Sequence, residues 1–206
     1  MVAETWVDRS ESGTVFDGVD LEDAVLENCT FTDCSFTFAH LVELRTRHCR
    51  FDGCNFTGAR LGASTHVASS FANCRFDGAA LLGATFTECR LLGASFVKAE
   101  TAGLVIDGGD WSFVNLRLQT LRGVDFSRVR LADADFYGCD LGNVNFRGAE
   151  LTGVNFDKAN LAGADLRGAV LSRVNLAALN LRGVRLDFDQ AIQLAQSLGA
   201  IVGGAD

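Results

Sequence analysis

Four groups of residues in this sequence have types that do chemistry in other proteins. The seven cysteines (Cys29, Cys34, Cys49, Cys54, Cys74, Cys89 and Cys139) would suit a soft metal ion or disulfide bonds. The three histidines, His40, His48 and His66, are of the type that serves as base or metal ligand near neutral pH. The stretch Asp107-Gly108-Gly109-Asp110 has the glycines of an anion-binding loop. Ten carboxylates lie within residues 1–44, among them Asp20, Glu22, Asp23 and Glu27, against a single Lys or Arg there, Arg9. The rest of the chain holds 16 acids and 17 bases, so nearly all of the net charge of -8 sits at the N-terminal end. Such a distribution argues against a nucleic-acid-binding surface and for a basic partner.

Whether any of these residues meet depends on a repeat of five. From Phe16 to Leu186, every fifth residue is large and apolar at 32 of 35 positions; the exceptions are Thr46, His66 and Thr101. Two residues before each of these lies a small one, Ala, Val or Cys at 27 of 35 positions. In extended chain, residues two apart point to one face. The polar residues that follow turn a corner, and 15 of the 22 glycines sit at the corner position, where positive φ is tolerated. A chain that turns every five residues and buries the same two each time closes into a four-sided coil of 20 residues. Residues 20 apart should then stack. Phe16, Phe36, Phe56, Phe76 and Phe96 form one column, and Leu21, Leu41, Leu61 and Leu81 form its neighbour. At about 4.8 Å per coil the 35 repeats make a rod roughly 40 Å long.

This placement removes most of the chemistry. All seven cysteines take the small inward slot, where thiols act as buried hydrophobes. His66 is an inward residue stacked over Thr46, and His40 and His48 point outward. No His/Asp/Ser or Cys/His constellation stands at the 20-residue offset. Asp107-Gly108-Gly109-Asp110 is a turn, since no Lys-Ser/Thr and helix follow it. No catalytic, metal or cofactor site is expected. The start, Met1-Val2-Ala3-Glu4, has no basic and apolar segments of a signal peptide, and no apolar run reaches the ~18 residues of a membrane span. A cytoplasmic protein with reduced thiols and no membrane partner is expected.

After Leu186 the period ends. Asp187 to Leu198 reads as a short helix with Asp187 or Asp189 as N-cap and Gly199 as its stop. Ala200-Ile201-Val202 could form a short strand. The expected organisation is an N-terminal cap (1–13), the repeat region (14–186) and a helical cap (187–206). The tail's apolar set exceeds what one coil end needs, so a homodimer through Phe188, Ile192, Leu194 and Leu198 is expected.

The repeat resembles the pentapeptide-repeat family, whose motif is A(D/N)LXX. Ala159-Asn160-Leu161-Ala162-Gly163 and Ala164-Asp165-Leu166-Arg167-Gly168 match it residue for residue. The resemblance implies an all-β solenoid, a right-handed quadrilateral β-helix, here with a short C-terminal α-helix. Trp6-Val7-Asp8, the absence of loop insertions and the ending Arg182 to Ala191 are similar to the MfpA-like, Qnr-type subgroup. That similarity implies a tail-to-tail dimer that mimics B-form DNA, binds DNA gyrase and protects it from fluoroquinolones. On the residues themselves, Asp20, Glu22, Asp23 and Glu27 are the candidate partner-binding surface. The alternative is a non-catalytic scaffold solenoid for another protein partner.

Overall fold

The computed structural model describes residues 4–203. Met1–Ala3 and 204–206, the outer ends of the two expected caps, lie outside the described residues. The chain winds as a parallel β-solenoid of four-sided coils, the expected quadrilateral β-helix, and ends in one α-helix. The first side carries six strands: Thr5–Val7, Val25–Glu27, Arg45–Arg47, Thr65–Val67, Thr85–Thr87 and Val105–Asp107. The second carries four: Ser10–Ser12, Thr30–Thr32, Arg50–Asp52 and Ser70–Ala72. Neighbours pair in parallel at an offset of 20, as in Val25 with Arg45 and Phe31 with Phe51. The third and fourth sides, and the C-terminal half of the first two, pair through single residues at the same offset.

The corners explain the period. On the third side, Phe16 N donates to Ser35 O (2.6 Å), Gly18 N to Thr37 O (2.9 Å), and Ser35 N back to Thr14 O (3.0 Å). Between them, Val19 N closes a tight turn onto Phe16 O (3.1 Å), with Gly18 at φ 65°. Glycine is not obligatory at this position. Asp23, Phe38, Glu43 and Leu118 hold the same left-handed conformation, with φ between 55° and 60°. The strain of each is offset by a ladder bond from its own amide, such as Asp23 N to Val42 O (2.9 Å). The Asp or Asn of the motif acts at the side's start. Asn160 Oδ1 accepts from Ala162 N (3.2 Å), and its amide donates to Asp140 one coil away (3.0 Å). Asp125 with Asn145 and Asp135 with Asn155 repeat this arrangement.

Inside, like side chains stack. Phe16, Phe36, Phe56 and Phe76 lie 5.0 Å apart with rings within 13° of parallel. Phe31, Phe51 and Phe71 form a second column, and rings of the two columns meet edge to face. Offset-stacked and T-shaped pairs are both favourable aromatic geometries. The register also runs back into the expected N-terminal cap. Trp6 and Glu11 take inward positions, and Trp6 packs on Phe16 and Phe31. The Arg9 guanidinium lies over the Trp6 ring at 4.1 Å and bonds Glu11 at 2.8 Å, which closes that end.

At the other end, Asp187 caps helix α1 (Phe188–Ser197). It accepts from Gln190 N (3.0 Å), while Gln190 Oε1 accepts from Asp187 N (3.1 Å). Gln190 is buried, and its amide donates to Leu166 O (2.6 Å) and Ala169 O (2.9 Å) of the last coils. The strand expected over Ala200–Val202 is not formed; those residues are exposed, and Ala200 N bonds back to Ala195 O of the helix (2.9 Å) instead of joining a ladder. Since the stacked columns carry the core, Phe56→Ala should destabilise the protein by about 3–5 kcal/mol in chemical denaturation, with the far-UV spectrum retained. A loss below about 1 kcal/mol would show that the column is not a close-packed core.

Candidate interaction surface

The cysteines are core side chains. All seven are buried and free. Cys49, Cys54, Cys74 and Cys89 each donate from Sγ to a carbonyl 23 residues earlier, at 3.3–3.5 Å. Burial pushes the thiols of Cys49, Cys89 and Cys139 up to about 11. At neutral pH these groups offer no thiolate for catalysis or metal binding. Among the described residues, no three His, Cys, Asp or Glu side chains converge as a metal site.

His66 is fully buried in a hydroxyl network. Its Nδ1 lies 2.9 Å from Thr46 Oγ1 and its Nε2 3.0 Å from Ser64 Oγ. Thr46 also donates to Ser69 Oγ (3.2 Å), which accepts from Cys49 N (3.1 Å) and donates to Val67 O (3.0 Å). The neutral ring satisfies this network, and burial lowers its pKa to about 3. Thr101, the other polar column residue, donates to Gln119 Oε1 (3.1 Å), and Gln119 Nε2 donates to Phe96 O (2.7 Å). The three breaks in the apolar column are thus hydrogen-bonded core residues.

The outward charge is arranged more sharply than the sequence suggests. Asp20, Glu22 and Asp23 are exposed on the fourth side and its corner, and Glu27, half-buried, stands just around that corner on the first side. The structure brings all four together at the N-terminal end. It also brings an arginine row beside them, because the 20-residue offset sets Arg45 next to Val25 and Arg47 next to Glu27. Asp23 pairs loosely with Arg45 at 3.8 Å, both half-exposed. Among the described residues, Asp20, Glu22 and Glu27 make no ion pair. Farther along the rod, carboxylates are tied to arginines: Asp135 to Arg117 (2.9 Å), Asp133 to Arg173 (3.0 Å) and Asp165 to Arg167 (2.6 Å). The Arg167 guanidinium holds the Asp165 carboxyl at about 2. With ten acids and one base in residues 1–44 against 16 acids and 17 bases in the rest, the net charge lies at one end.

The helix end is apolar. Phe188 is 90 % exposed, and Ile192, Leu198 and Ile201 are exposed beside it. Leu194 differs from the other three residues expected at an interface, since it packs on the chain's own core. No helix among the described residues is long and apolar enough to cross a membrane.

Two family models match, the pentapeptide repeat region over residues 69–156 and pentapeptide repeats over 12–43 and 149–187. The chain belongs to the pentapeptide-repeat family. Among solved structures it is similar to QnrB1, a plasmid-mediated fluoroquinolone resistance protein. One trypsin-treated QnrB1 variant matches with a TM-score of 0.86 at 25% identity, covering 96% of this chain and 99% of that one. A second trypsin-treated variant gives 0.83 at 25% identity, covering 95% and 99%. Full-length QnrB1 gives 0.66 at 24% identity, covering 95% and 100%. No curated protein sequence matches.

The His66 network generates a pH prediction. The unfolded chain binds a proton at this histidine near pH 6.5, while the folded chain does so only near pH 3. Stability contributed by the neutral ring is thus present above pH 6.5 and falls, by about 1.4 kcal/mol per pH unit, as pH drops through that window. His66→Phe leaves every hydroxyl of the network another partner: Ser64 keeps Leu61 O (2.8 Å), and Thr46 and Ser69 keep each other. Between pH 7 and 5 the wild type should lose roughly 2 kcal/mol more than this variant in urea unfolding. Parallel pH profiles would contradict the assignment.

Proposed function

We propose that the protein is a non-catalytic, Qnr-type binding protein that docks on DNA gyrase as a homodimeric mimic of B-form DNA, modulates its activity and protects it from fluoroquinolones in the cytoplasm. The observation that carries this reading is the match to QnrB1 along nearly the whole of both chains. A rod without loop insertions supports it, as does an apolar tail able to join two copies end to end. Such a dimer is about 80 Å long and carries about -16, against roughly -47 on a DNA duplex of that length. Shape along the flanks and charge at the two distal ends divide the task. A scaffold solenoid with another protein partner is the second reading, favoured by the near-neutral flanks, where acids and bases are almost equal in number.

The dimer is formed by Phe188, Ile192, Leu198 and Ile201, with Leu194 holding α1 to its own coil. Phe188→Asp with Ile192→Asp places charge in that contact, at a cost of several kcal/mol. Sedimentation should show a folded monomer for this variant and a dimer for the wild type; a monomeric wild type at micromolar concentration would contradict it.

The acidic end steers association. Steering by a charge cluster acts on association rate and is screened within about 8 Å at physiological salt. Asp20→Asn, Glu22→Gln, Asp23→Asn and Glu27→Gln together should weaken inhibition of gyrase supercoiling and flatten its salt dependence, with the fold intact. Unchanged inhibition with an unchanged salt slope rejects the acidic-end mechanism. Failure of the wild type to bind gyrase at all favours the scaffold reading.

A further inference from the structure

The ladder that laces each coil to the next is interrupted in the middle of the rod. Glu100 and Thr120 do not bridge, nor do Val105 and Asp125, although Ala80 with Glu100, Thr85 with Val105, Thr120 with Asp140 and Asp125 with Asn145 all do. The main-chain bonds that the register calls for between 98–108 and 117–127 are missing as well. Lacing resumes on both flanks. Phe96 N donates to Asn115 O (2.9 Å) before the gap, and Trp111 N to Arg130 O (2.7 Å) after it. The seam therefore spans parts of two adjacent sides while the other two stay closed. A second gap, between 156–163 and 175–182, falls in the last full coil, where chain ends fray in any case.

The core shows through the central seam. Val124 is an inward residue in mid-rod, yet it is only half-buried, where Val129 and Val144 are fully buried. Ala99 and Ile106 reach 8% and 6% exposure, against 0–1% for most inward neighbours. A cleft of about 570 Å³ lined by Lys98, Glu100, Leu118, Gln119 and Val124 lies over it. The sequence supplies a local cause. Gln119 stands in a slot that is Ala, Val or Cys at 27 of 35 positions, and Thr101 stands in the Leu column. Their mutual bond, and that from Gln119 to Phe96 O, join the coils through side chains where the backbones do not close.

We propose that this seam is a joint at which the rod opens locally, so that residues 5–97 and 128–155 behave as two stiff segments linked by a yielding coil. In a solenoid each coil is stabilised only by its neighbours, so the weakest coil-to-coil contact decides where the cooperative unit divides. The amides of Lys98, Thr101, Gly103, Thr120 and Asp125 have no main-chain partner across the seam, whereas Leu118, Leu121 and Phe126 remain bonded to the following coil. A joint there lets the rod follow a curved partner surface, and it does not rest on which partner that is.

Hydrogen exchange on the full-length protein, read by mass spectrometry, tests this. The amides of Lys98, Thr101, Gly103, Thr120 and Asp125 should exchange at least about tenfold faster than their counterparts 40 residues earlier, Gly58, Leu61, Ala63, Ala80 and Thr85, all of which are bonded to a neighbouring coil. Thr101→Leu with Gln119→Val restores the repeat pattern and should bring seam exchange to the flanking level without altering the flanks. Limited trypsin treatment of the wild type provides a readout free of mutation: of the 18 Lys and Arg residues, the first cut should fall at Lys98, Arg117 or Arg122. Equal protection of seam and flanks, seam exchange untouched by the double variant, or first cuts elsewhere would each overturn the proposal.

Discussion

The molecule depends on one constraint: residue i meets residue i + 20 through parallel backbone hydrogen bonds. Every side must then be five residues long, because a longer or shorter side would rotate the stack out of register. The corner must hold one residue at positive φ, whose amide joins the ladder (Gly18 N to Thr37 O, Asp23 N to Val42 O). Once that offset is fixed, phenylalanine falls on phenylalanine at 5.0 Å and asparagine on aspartate at 3.0 Å. The inward thiols find carbonyls 23 residues back by the same rule. Core packing, surface ladders and thiol burial are consequences of a single spacing.

That spacing also organises the surface. Charges about 20 apart in sequence are neighbours in space, as in Arg117 with Asp135 and Arg122 with Asp140, and acids and bases along the flanks are almost equal in number. The first coil has no coil before it, and its carboxylates keep their field. A rod built this way presents charge at its end and shape along its length. The two ends are closed differently: Trp6, Arg9 and Glu11 seal the first coil, and the glutamines of α1 satisfy carbonyls of the last coils. The second closure leaves large apolar side chains, Phe188 and Ile201 among them, facing outward.

Much of this was legible in the sequence, because a five-residue period with inward Phe, Leu and Cys has few geometric solutions. The helix after Leu186 and its Asp187 cap were legible for the same local reasons. Counting back by fives from Phe16 reaches Glu11 and Trp6, but the polar Glu11 hides the continuation into the expected cap. The Ala200–Val202 strand was misjudged, since apolar composition says nothing about whether a free ladder edge exists. Leu194 faces its own coil because the helix must cover that coil's end, a fact of docking angle. The seam was invisible for a related reason: Thr101 and Gln119 look like isolated exceptions until their 18-residue separation places them across one coil boundary. The arginine row beside the acidic cluster needed the same offset to be seen.

The central claim is that the rod takes the place of DNA on its partner. Fluorescence anisotropy of a labelled linear duplex bound to DNA gyrase, titrated with this protein, tests it most directly. The account predicts displacement of the duplex, saturating at one dimer per gyrase and weakening as salt rises. Simultaneous binding of duplex and protein, or no effect on the bound duplex, would contradict it.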